Sequence, residues 1–407
     1  MNILIINHYT GSPTLGMEFR PYYLAKEWVK KGHSVTIIGA SFSHLRTVQP
    51  NVTRDLQTTE EQGIKYIWIK TPSYITNGKR ILNMLSFVIK LFLNKKDIYK
   101  MSEPDVVIAS STYPLDIYPA NSIAKISGSK LCFEVHDLWP LSPMVIGGFS
   151  KYHPFILMMQ MAENYAYRNS DIVVSLLGNA KEYMISHGLN PKKFVHIPNG
   201  FDRDEYENIR EELSSEHLKL FGSLRNNTNN ILIGYAGGHG PSNTLNTLIE
   251  AARICKNDDK IKFIFVGNGP AKPELQKMSK DLANVFFLDS VPKKSIPNIL
   301  LLFDILYIGG VKSILHKYGI SPNKLIDYML AAKPILLSAD VENDIVERIN
   351  CGITVPAEDP QAVFNAIQKF QGMSDIDRKS MGLRGSEYAK SDLDYSMLAA
   401  KFIESIS

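Results

Sequence analysis

At 407 residues the chain exceeds the length over which one hydrophobic core keeps growing, and its hydrophobic content of 44% excludes a disordered protein, so two globular domains are expected. The three cysteines (Cys132, Cys255 and Cys351) lie far apart without a CxxC pair, which excludes a disulfide framework and a structural zinc site and favours a reducing compartment. The net charge of +4 is unevenly divided, because residues 1–200 contain 21 Lys and Arg against 14 Asp and Glu, whereas the remainder contains 24 against 27.

The chain begins with the apolar run from Ile3 to Asn7, without the basic start and cleavage site of a signal peptide. We therefore expect a buried first strand and a cytoplasmic protein. A loop with Gly11 and Gly16 follows, and its glycines allow the backbone to approach a ligand closely. The loop ends where a helix from Arg20 to Lys31 should begin, and helix N-termini attract anions. A plain strand-to-helix turn is the simpler alternative.

The segment from Lys79 to Lys100 has a net charge of +5 and apolar residues at near-helical spacing. This pattern is typical of an amphipathic helix, which packs into the core or lies on an anionic bilayer, and the sequence leaves both open. Lys90 interrupts the apolar run, which falls short of the roughly 20 residues that span a membrane. The candidate acceptor and membrane residues are Lys79, Arg80, Phe87, Lys90, Phe92, Lys95 and Lys96.

Short apolar runs alternate with helical patterns along both halves of the chain. In the first half the predicted strands are Ile3 to Asn7, Ser34 to Ile38, Tyr66 to Ile69, Val106 to Ala109, Leu131 to Val135, Ile172 to Leu176 and Phe194 to Ile197. In the second half they are Ile231 to Tyr235, Lys262 to Val266, Val285 to Leu288, Ile305 to Ile308 and Pro334 to Leu337. These series predict two doubly wound α/β domains. The polar stretch from Arg203 to Asn230 is predicted to be a linker.

His136 and Asp137 directly follow a predicted strand, at the carboxyl end where open α/β sheets bind ligands. A lone histidine is more often a structural hydrogen-bonding residue than a functional one. Asp137 is expected to fix the His136 ring or the turn rather than to act as a base. Trp139 and Pro140 would shape the wall of an acceptor site.

Four glycines surround the end of the strand from Ile231 to Tyr235, namely Gly234, Gly237, Gly238 and Gly240. A dinucleotide site is the rival interpretation, but Asn243 stands where the motif needs glycine or alanine, and the next strand lacks an acidic ribose ligand. The loop therefore fits the phosphate of a sugar nucleotide better.

The segment from Lys317 to Ile335 predicts a loop that enters a helix. Ser321 or Asn323 can cap the helix, and Pro322 suits its first turn. The exposed amides attract phosphate, Lys324 adds a cation, and Asp327 offers a carboxylate to a sugar diol one turn later. An ordinary capped surface helix fits these residues equally well.

A divalent-metal mechanism would require an Asp-x-Asp motif directly after a strand. Asp202 and Asp204 have this spacing but lie in the predicted linker, and the pairs at 375–377 and 392–394 lie among helical residues. We therefore expect no metal site.

Five motifs, in this order, resemble those of GT-B, family 4 glycosyltransferases, in particular a bacterial surface-polysaccharide subgroup of amino-deoxysugar transferases. They are Gly16 to Trp28, Glu134 to Pro140, Ile197 to Asp202, Gly234 to Gly240 and Gly319 to Pro334. The resemblance spans nearly the whole chain and implies two Rossmann-like domains facing across a cleft. Residues 1–198 would form the acceptor side, joined by a crossover helix over 386–407, and residues 199–385 would bind the nucleotide sugar, with a hinge at Asn199 and Gly200.

The resemblance also implies roles for individual residues. His136 would orient the donor sugar and polarise the transition state, and Lys324 would stabilise the departing diphosphate, so these two are the catalytic candidates. The donor-binding candidates are Gly16, Gly237, Gly238, Asn268, Val291, Pro292, Ile320, Ser321, Pro322, Asn323 and Asp327. No cofactor is implied, since a UDP-sugar is the co-substrate.

Two positions depart from the family pattern. Pro241 to Thr244 lacks the lysine that often completes a phosphate clamp, so Lys324 and backbone amides must carry more of the charge. Gly319 stands where the first of two paired glutamates is usual, and Asp327 replaces the second. A donor sugar with fewer hydroxyls, such as an N-acetamido or 6-deoxy sugar, would lose fewer hydrogen bonds through the absence of that carboxylate.

We therefore predict a retaining glycosyltransferase that moves a sugar from a UDP-sugar to a lipid-pyrophosphate-linked glycan in O-antigen or capsule biosynthesis. It would be cytoplasmic and peripherally associated with the inner face of the plasma membrane, with no nucleic acid partner and an oligomeric state left open. A GT-B sugar-nucleotide epimerase and a noncatalytic, membrane-associated nucleotide-sugar binder are the alternatives.

Overall fold

The structure, a computed structural model, describes residues 1–16, 19–208, 211–226, 230–342 and 344–406. Met17 and Glu18, which belong to the motif from Gly16 to Trp28, lie outside the described residues, as do parts of the predicted linker. The chain forms two compact units, Met1–Asn199 with Tyr395–Ser407, and Gly200–Asp394.

The first unit is built on one sheet. Its described strands are β1 (Asn2–Ile6), β2 (Ser34–Ala40), β3 (Gln57–Glu61), β4 (Ile64–Ile69), β5 (Val106–Ala109), β6 (Lys130–Val135), β7 (Ile172–Ser175) and β8 (Phe194–His196). Its helices before the second unit are α1 (Arg20–Lys30), α2 (Asn77–Leu93), α3 (Lys95–Ser102), α4 (Ile117–Ser127), α5 (Leu141–Gly147), α6 (Pro154–Asn169) and α7 (Lys181–Ser186). The strand order is β3-β4-β2-β1-β5-β6-β7-β8, parallel except between β3 and β4.

The position of β1 explains its apolar sequence. Ile5 pairs with Ile37 of β2 on one side and with Ile108 of β5 on the other, and helices cover both faces of the sheet, so the strand is buried. From β1 the chain continues through β2 to β3 and β4 on one side of β1, and it then returns to form β5 on the other side. The carboxyl ends of β1 and β5 therefore border a topological switch point, where ligands bind in this class of sheet.

The second unit repeats this arrangement. Its described helices are α8 (Arg203–Asn208), α9 (Ser215–Arg225), α10 (Leu245–Ile254), α11 (Lys272–Met278), α12 (Ile296–Leu301), α13 (Asn323–Leu330), α14 (Ile345–Arg348), α15 (Pro360–Gly372) and α16 (Asp375–Asp392). Its described strands are β9 (Ile231–Ala236), β10 (Ile261–Val266), β11 (Val285–Leu288), β12 (Ile305–Gly309), β13 (Ile335–Ser338) and β14 (Gly352–Val355). They form a parallel sheet ordered β11-β10-β9-β12-β13-β14, with its switch point between β9 and β12.

The last helix, α17 (Tyr395–Ile406), belongs to the first unit. The Trp28 indole Nε1 donates to the Ala399 carbonyl at 3.0 Å, and the Trp28 and Phe402 rings lie 5.3 Å apart. The prediction of one helix over 386–407 is therefore wrong, because α16 ends at Asp392 and the chain turns at Leu393 and Asp394 before α17 begins.

The predicted linker also contains regular structure. Helix α9 buries His217, Phe221 and Leu224, and the last two pack into the core beside Phe303. These three residues have the spacing of one helical face, so residues 215–225 are part of the second unit rather than a linker.

The basic segment forms two helices, because α2 ends at Leu93 and α3 begins at Lys95. Helix α2 packs Met84, Phe87 and Leu91 into the core. Four of its other apolar residues are exposed, namely Leu82, Ile89, Phe92 and Leu93, whereas Ile81, Leu85 and Val88 are partly buried. Within the described residues, no helix combines the length and apolar character needed to cross a membrane.

Candidate functional site

In the first unit, His136 lies in a polar network at the carboxyl ends of β5 and β6. The His136 ring nitrogen Nε2 is 3.2 Å from Glu134 Oε2 and 3.0 Å from Ser110 Oγ. Ser110 Oγ donates its hydrogen to the same Glu134 oxygen at 2.6 Å. Nε2 therefore carries a hydrogen that faces both oxygens, and Nδ1 is the nitrogen left for a ligand.

Glu134 is held in turn by Arg20 of α1. The Arg20 guanidinium contacts Glu134 Oε1 at 3.0 Å, and it also donates to the carbonyls of Ile197 and Pro198. The side chains of Arg20 and Glu134 are only 1% and 2% exposed. Burial alone would raise the pKa of Glu134, but Arg20, with help from His136 and Ser110, lowers this pKa to about 2. A carboxylate that stays charged thus orients the His136 ring.

Asp137 fixes the turn rather than the ring. Its Oδ1 accepts hydrogen bonds from the Leu138 amide at 2.9 Å and from Ser142 Oγ at 2.6 Å. Of the two roles that the sequence left open for Asp137, it therefore has the one in the turn, and Glu134 orients the His136 ring. Trp139 packs against Phe155, with the ring centroids 6.2 Å apart.

Gly16 closes a tight loop after β1. Its amide donates to the Ser12 carbonyl at 2.8 Å, and a side chain at this position would collide with Thr47. Its hydrogen bonds and the atoms nearest to its would-be Cβ belong to Ser12 and Thr47, so no such contact within the described residues joins Gly16 to His136.

In the second unit, Lys324 lies beside the glycine-rich loop that follows β9. The Lys324 ammonium donates to the Tyr235 hydroxyl at 2.6 Å and to Asn243 Oδ1 at 3.1 Å, and it lies 4.1 Å from the Tyr235 ring centroid. Burial lowers the pKa of Lys324 to about 8, although Asp327 opposes this shift. The ammonium is therefore positioned and still charged at neutral pH.

Gly237 allows the loop and the lysine to meet. Its φ is +151°, and a Cβ at this position would lie 2.9 Å from Lys324 Cε. The Gly237 amide donates to the Val266 carbonyl, and the His239 amide donates to the Asn268 carbonyl. Gly237, Gly238, Asn268 and Lys324 are thus gathered at the carboxyl ends of β9 and β10.

The N-terminus of α13 differs from the predicted cap. The helix begins at Asn323, Pro322 is the N-cap residue, and within the described part of the chain no side chain caps it by a hydrogen bond. The predicted capping by Ser321 or Asn323 is therefore wrong, because the extended Pro322 already ends the preceding loop. First-turn amides that no side chain satisfies are suited to an anion.

Asp327 lies one turn after Lys324 on the same helix. Burial raises the pKa of Asp327 to about 6, and the nearby Lys293 and Lys324 limit this rise. The carboxylate is therefore ionised at neutral pH and can accept hydrogen bonds from hydroxyl groups.

The remaining donor candidates lie on loops around this helix. Asn268 Oδ1 accepts from Lys272 at 2.8 Å, and Asn268 Nδ2 donates to Ser290 Oγ at 3.3 Å, which joins it to the loop carrying Val291 and Pro292. Val291 and Ile320 are half-buried against the same hydrophobic cluster. The structure thus groups these candidates with α13, whereas Gly16 and His136 belong to the first unit.

A separate groove in the second unit contains none of the predicted site residues. It is lined by Lys312, Ser313, Ile314, Lys317, Asp340, Val341 and Glu342. Throughout the described ranges, no three His, Cys, Asp or Glu side chains are grouped closely enough to hold a metal ion.

The acceptor and membrane candidates have unequal environments. Lys79, Lys96 and Phe92 are exposed, and Lys95 is half-buried with its ammonium 4.2 Å from the Phe92 ring centroid. Lys90 pairs with Asp55 at 3.1 Å. Phe87 was a candidate for membrane contact, and this prediction is wrong because Phe87 is fully buried, 4.7 Å from the His8 ring.

Several residues of these sites were not identified from the sequence. Arg20 and Glu134 lay inside quoted motifs without an assigned role, and a charged residue within a buried apolar strand was the available signal for Glu134. Ser110, Tyr235 and Asn243 gave no signal, because their roles depend on contacts with residues distant in the sequence.

Two family models match the chain, one for each half. The model described as Glycosyltransferase Family 4 matches residues 15–205, and the model described as Glycosyl transferases group 1 matches residues 230–371. A comparison with curated protein sequences gave no match.

Solved structures resemble the chain over its whole length. The Anabaena protein HepE, solved in complex with UDP, is 16% identical, with 99% of each chain covered and a TM-score of 0.67. WaaG, a glycosyltransferase involved in lipopolysaccharide biosynthesis, is 13% identical, with 100% of this chain and 99% of WaaG covered and a TM-score of 0.65. Sucrose-phosphate synthase from Thermosynechococcus elongatus is 14% identical, with 99% and 97% covered and a TM-score of 0.71.

Proposed function

Because this chain belongs to glycosyltransferase family 4, whose retaining GT-B enzymes use nucleotide sugars, we propose that it transfers a sugar from a UDP-sugar to a lipid-pyrophosphate-linked glycan. The product would contribute to a surface polysaccharide such as O-antigen or capsule. Residues 1–198 with the C-terminal helix form the acceptor side in this proposal, and residues 199–385 bind the donor.

The arrangement around Lys324 carries the proposal. A charged ammonium is held by Tyr235 and Asn243, beside Gly237 and an α13 N-terminus without a side-chain cap. Amide dipoles and an ammonium fixed in advance stabilise charge that develops on a departing diphosphate. HepE has been solved with UDP and with UDP-glucose, which supports UDP as the nucleotide.

The residues of the first unit fit the sugar end of the donor. Glu134 and Ser110 fix the His136 ring through Nε2, so Nδ1 can face a sugar hydroxyl or the developing charge. With no second carboxylate at Gly319, whose φ of +103° disfavours other residues, we infer an N-acetamido or 6-deoxy donor sugar. The leaving diphosphate itself can accept the proton of the acceptor hydroxyl.

We also infer peripheral binding to the inner face of the plasma membrane. The exposed Phe92 and Leu93 of α2 are followed by the basic Lys95 and Lys96, and the exposed Leu82 follows the basic Lys79, a combination that suits an anionic bilayer surface. This side of the unit would bring a lipid-linked acceptor to the enzyme.

Calorimetry with UDP, GDP, ADP and TDP, followed by mass spectrometry with candidate UDP-sugars and membrane lipid extract, tests the function. We expect UDP to bind most tightly, Lys324→Ala to weaken it by at least about tenfold, and a glycosylated lipid to form only with both substrates. A preference for GDP would contradict the donor class. Turnover of the UDP-sugar without acceptor would favour an epimerase, and binding without transfer would favour a noncatalytic protein.

A further inference from the structure

A second polar cluster of the first unit lies outside the His136 network. Its residues follow three neighbouring strands or lie on the helix beside them, and they are Tyr9 after β1, His44 and Arg46 after β2, Tyr74 after β4, and Arg80 on α2. We call this set the arginine cluster. None of the sequence motifs includes it, apart from Arg80 in the basic segment.

Aromatic rings connect four members of the cluster, Tyr9, His44, Tyr74 and Arg80. The Arg80 guanidinium lies 5.5 Å from the Tyr9 ring centroid, and its Nε and Nη2 donate to the Tyr9 hydroxyl at 3.3 and 3.2 Å. The Tyr9 ring lies 5.8 Å from the His44 ring, whose Nδ1 is 2.6 Å from the Tyr74 hydroxyl. His44 is exposed and Arg80 is half-buried, so the cluster reaches the surface.

Arg46, two residues after His44, is buried and incompletely bonded, and its charge helps to lower the pKa of the Tyr74 hydroxyl against the rise caused by burial, which places it beside the cluster. The residue is 5% exposed, and its guanidinium lies 5.2 Å from the Trp68 ring centroid. One nitrogen, Nη2, donates to the Ala40 carbonyl, but the buried Nε and Nη1 have no hydrogen-bond partner in the described part of the chain. Unmet donors on a buried arginine are costly, and an anionic ligand would satisfy them.

The cluster also lacks a counter-charge. Neither Arg46 nor Arg80 forms an ion pair with any residue that the structure describes. The buried Asp116 instead accepts a hydrogen bond from the Ser111 amide at 3.0 Å. Burial, with smaller contributions from Arg46, Arg80 and His44, lowers the pKa of His8 to about 3, so His8 adds no charge of its own. Buried arginines are normally paired, so a missing anion is the simplest explanation.

We propose that the arginine cluster binds the phosphate oxygens of a phosphorylated acceptor, with Arg46 and Arg80 as the principal ligands. A phosphate offers oxygens in several directions, which suits donors on two arginines and two tyrosines better than a flat carboxylate does. This proposal adds an acceptor site to the proposed function. The identification of the ligand as the acceptor rests on that proposed function. It also assigns Arg80 to acceptor binding rather than to membrane contact.

The tryptophans provide a direct test. All three, Trp28, Trp68 and Trp139, belong to the first unit, and Trp68 lies against Arg46. Inorganic pyrophosphate is titrated into the full-length protein saturated with UDP, which occupies the nucleotide site, and tryptophan emission is followed. We expect a saturable change in tryptophan emission. The affinity for pyrophosphate should be at least about tenfold lower in Arg80→Gln and in Arg46→Lys, and the second variant keeps the charge but not the planar set of donors. Arg54→Gln, an exposed arginine of the same unit, is the matched control and should bind as wild type.

Equal pyrophosphate affinity in wild type and both variants, or no saturable signal, would overturn the proposal. Tighter binding of glucuronate than of pyrophosphate would overturn the assignment to phosphate. Farnesyl diphosphate distinguishes a lipid-linked acceptor from a soluble one. Tighter binding of farnesyl diphosphate than of pyrophosphate would indicate a lipid-linked acceptor, whereas equal binding would indicate a soluble phosphate ester. Either result supports a phosphate site in the arginine cluster. The titration is repeated in Lys324→Met, so that the test of the arginine cluster does not depend on filling the nucleotide site with UDP. If wild type did not bind UDP, that result would contradict the proposed function but not the arginine cluster as a phosphate site.

Discussion

Lys324 and Asp327 lie one turn apart on α13, and burial moves the pKa of each toward neutrality. The pKa of Lys324 is lowered to about 8 and that of Asp327 is raised to about 6. A diphosphate favours the charged ammonium, and a ribose diol favours the ionised carboxylate, so donor binding requires both charges. These two residues thus define a pH window.

We expect UDP-glucose to bind most tightly between about pH 6 and pH 8. Above that window Lys324 loses its proton, and affinity should fall by up to about tenfold per pH unit. Below it Asp327 gains a proton, and affinity should fall again. UDP-glucose is the suitable probe for calorimetry across this range, because its esterified diphosphate has no second phosphate proton to titrate there.

Single variants separate the two sides of this profile. Lys324→Met should remove the decrease at alkaline pH and leave the decrease at acidic pH, whereas Asp327→Asn should do the reverse. An unchanged profile in both variants would show that neither residue sets the window.

The Arg20–Glu134 pair has a structural role that can be measured apart from activity. Glu134→Gln leaves the Arg20 charge buried without its partner, which should destabilise the first unit by about 3–5 kcal/mol. In wild type the stabilisation that comes from the ionised Glu134 is complete above its ordinary pKa of 4.5, and it is lost as the pH falls toward the lowered pKa of about 2. Because every tryptophan belongs to the first unit, urea unfolding followed by tryptophan emission reports on that unit.

The control for this substitution is Glu404→Gln, which makes the same chemical change at an exposed position of the same unit. It should alter the free energy of unfolding by less than about 0.5 kcal/mol. Equal unfolding curves for the two variants would contradict the role given to the buried pair.

At the scale of elements, α17 completes the core of the first unit from the far end of the chain. Phe402 is fully buried against Trp28, and the Trp28 indole also donates to the Ala399 carbonyl. Phe402→Ala should therefore destabilise the first unit by about 3–5 kcal/mol, measured by the same tryptophan emission. Met397→Ala on the same helix is the control, since Met397 is 55% exposed. A similar effect of both substitutions would exclude specific packing of this face.

The strands that the sequence predicted are those with apolar runs, whether they lie at the centre or at the edge of a sheet. Val106–Ala109 has the predicted bounds, because an apolar run between turn residues is the signature of a central parallel strand. The edge strand Val285–Leu288 also has the predicted bounds, because its run Val-Phe-Phe-Leu is apolar although it is only partly buried. The edge strand β3 was missed, because its sequence Gln-Thr-Thr-Glu-Glu is polar and pairs only with β4. The short edge strand β14 was missed as well.

The candidate site was predictable only where it is local in sequence. The turn into α13 and the glycine loop before Asn243 were identified as anion-binding because each lies within one strand-to-helix connection. Arg20 and Glu134 are 114 residues apart, and Lys324 and Tyr235 are 89 apart, so only the fold reveals these pairs. For the same reason the sequence did not indicate that Arg46 and Arg80 belong to one cluster.

At the scale of the whole molecule, charge and exposed apolar area coincide in the first unit. Residues 1–200 carry a net charge of +7, and α2 exposes Leu93 at 76% and Leu82 at 61% beside basic residues. Apolar contact with a bilayer is nearly insensitive to salt, whereas attraction to anionic lipid is screened within about 10 Å at 0.1 M salt. The proposed membrane binding should therefore have two separable parts.

We expect the protein to sediment with vesicles that contain phosphatidylserine more than with neutral vesicles, and added salt should reduce this difference. Replacing Lys95 and Lys96 by Glu should remove most of the preference, because each basic residue contributes about 1 kcal/mol near such a surface. Phe92→Ser with Leu93→Ser should weaken binding to both vesicle types, whereas Lys256→Glu, an exposed charge change in the second unit, should have no effect. Equal sedimentation of all variants would contradict binding through α2 and leave its exposed apolar residues without a membrane role.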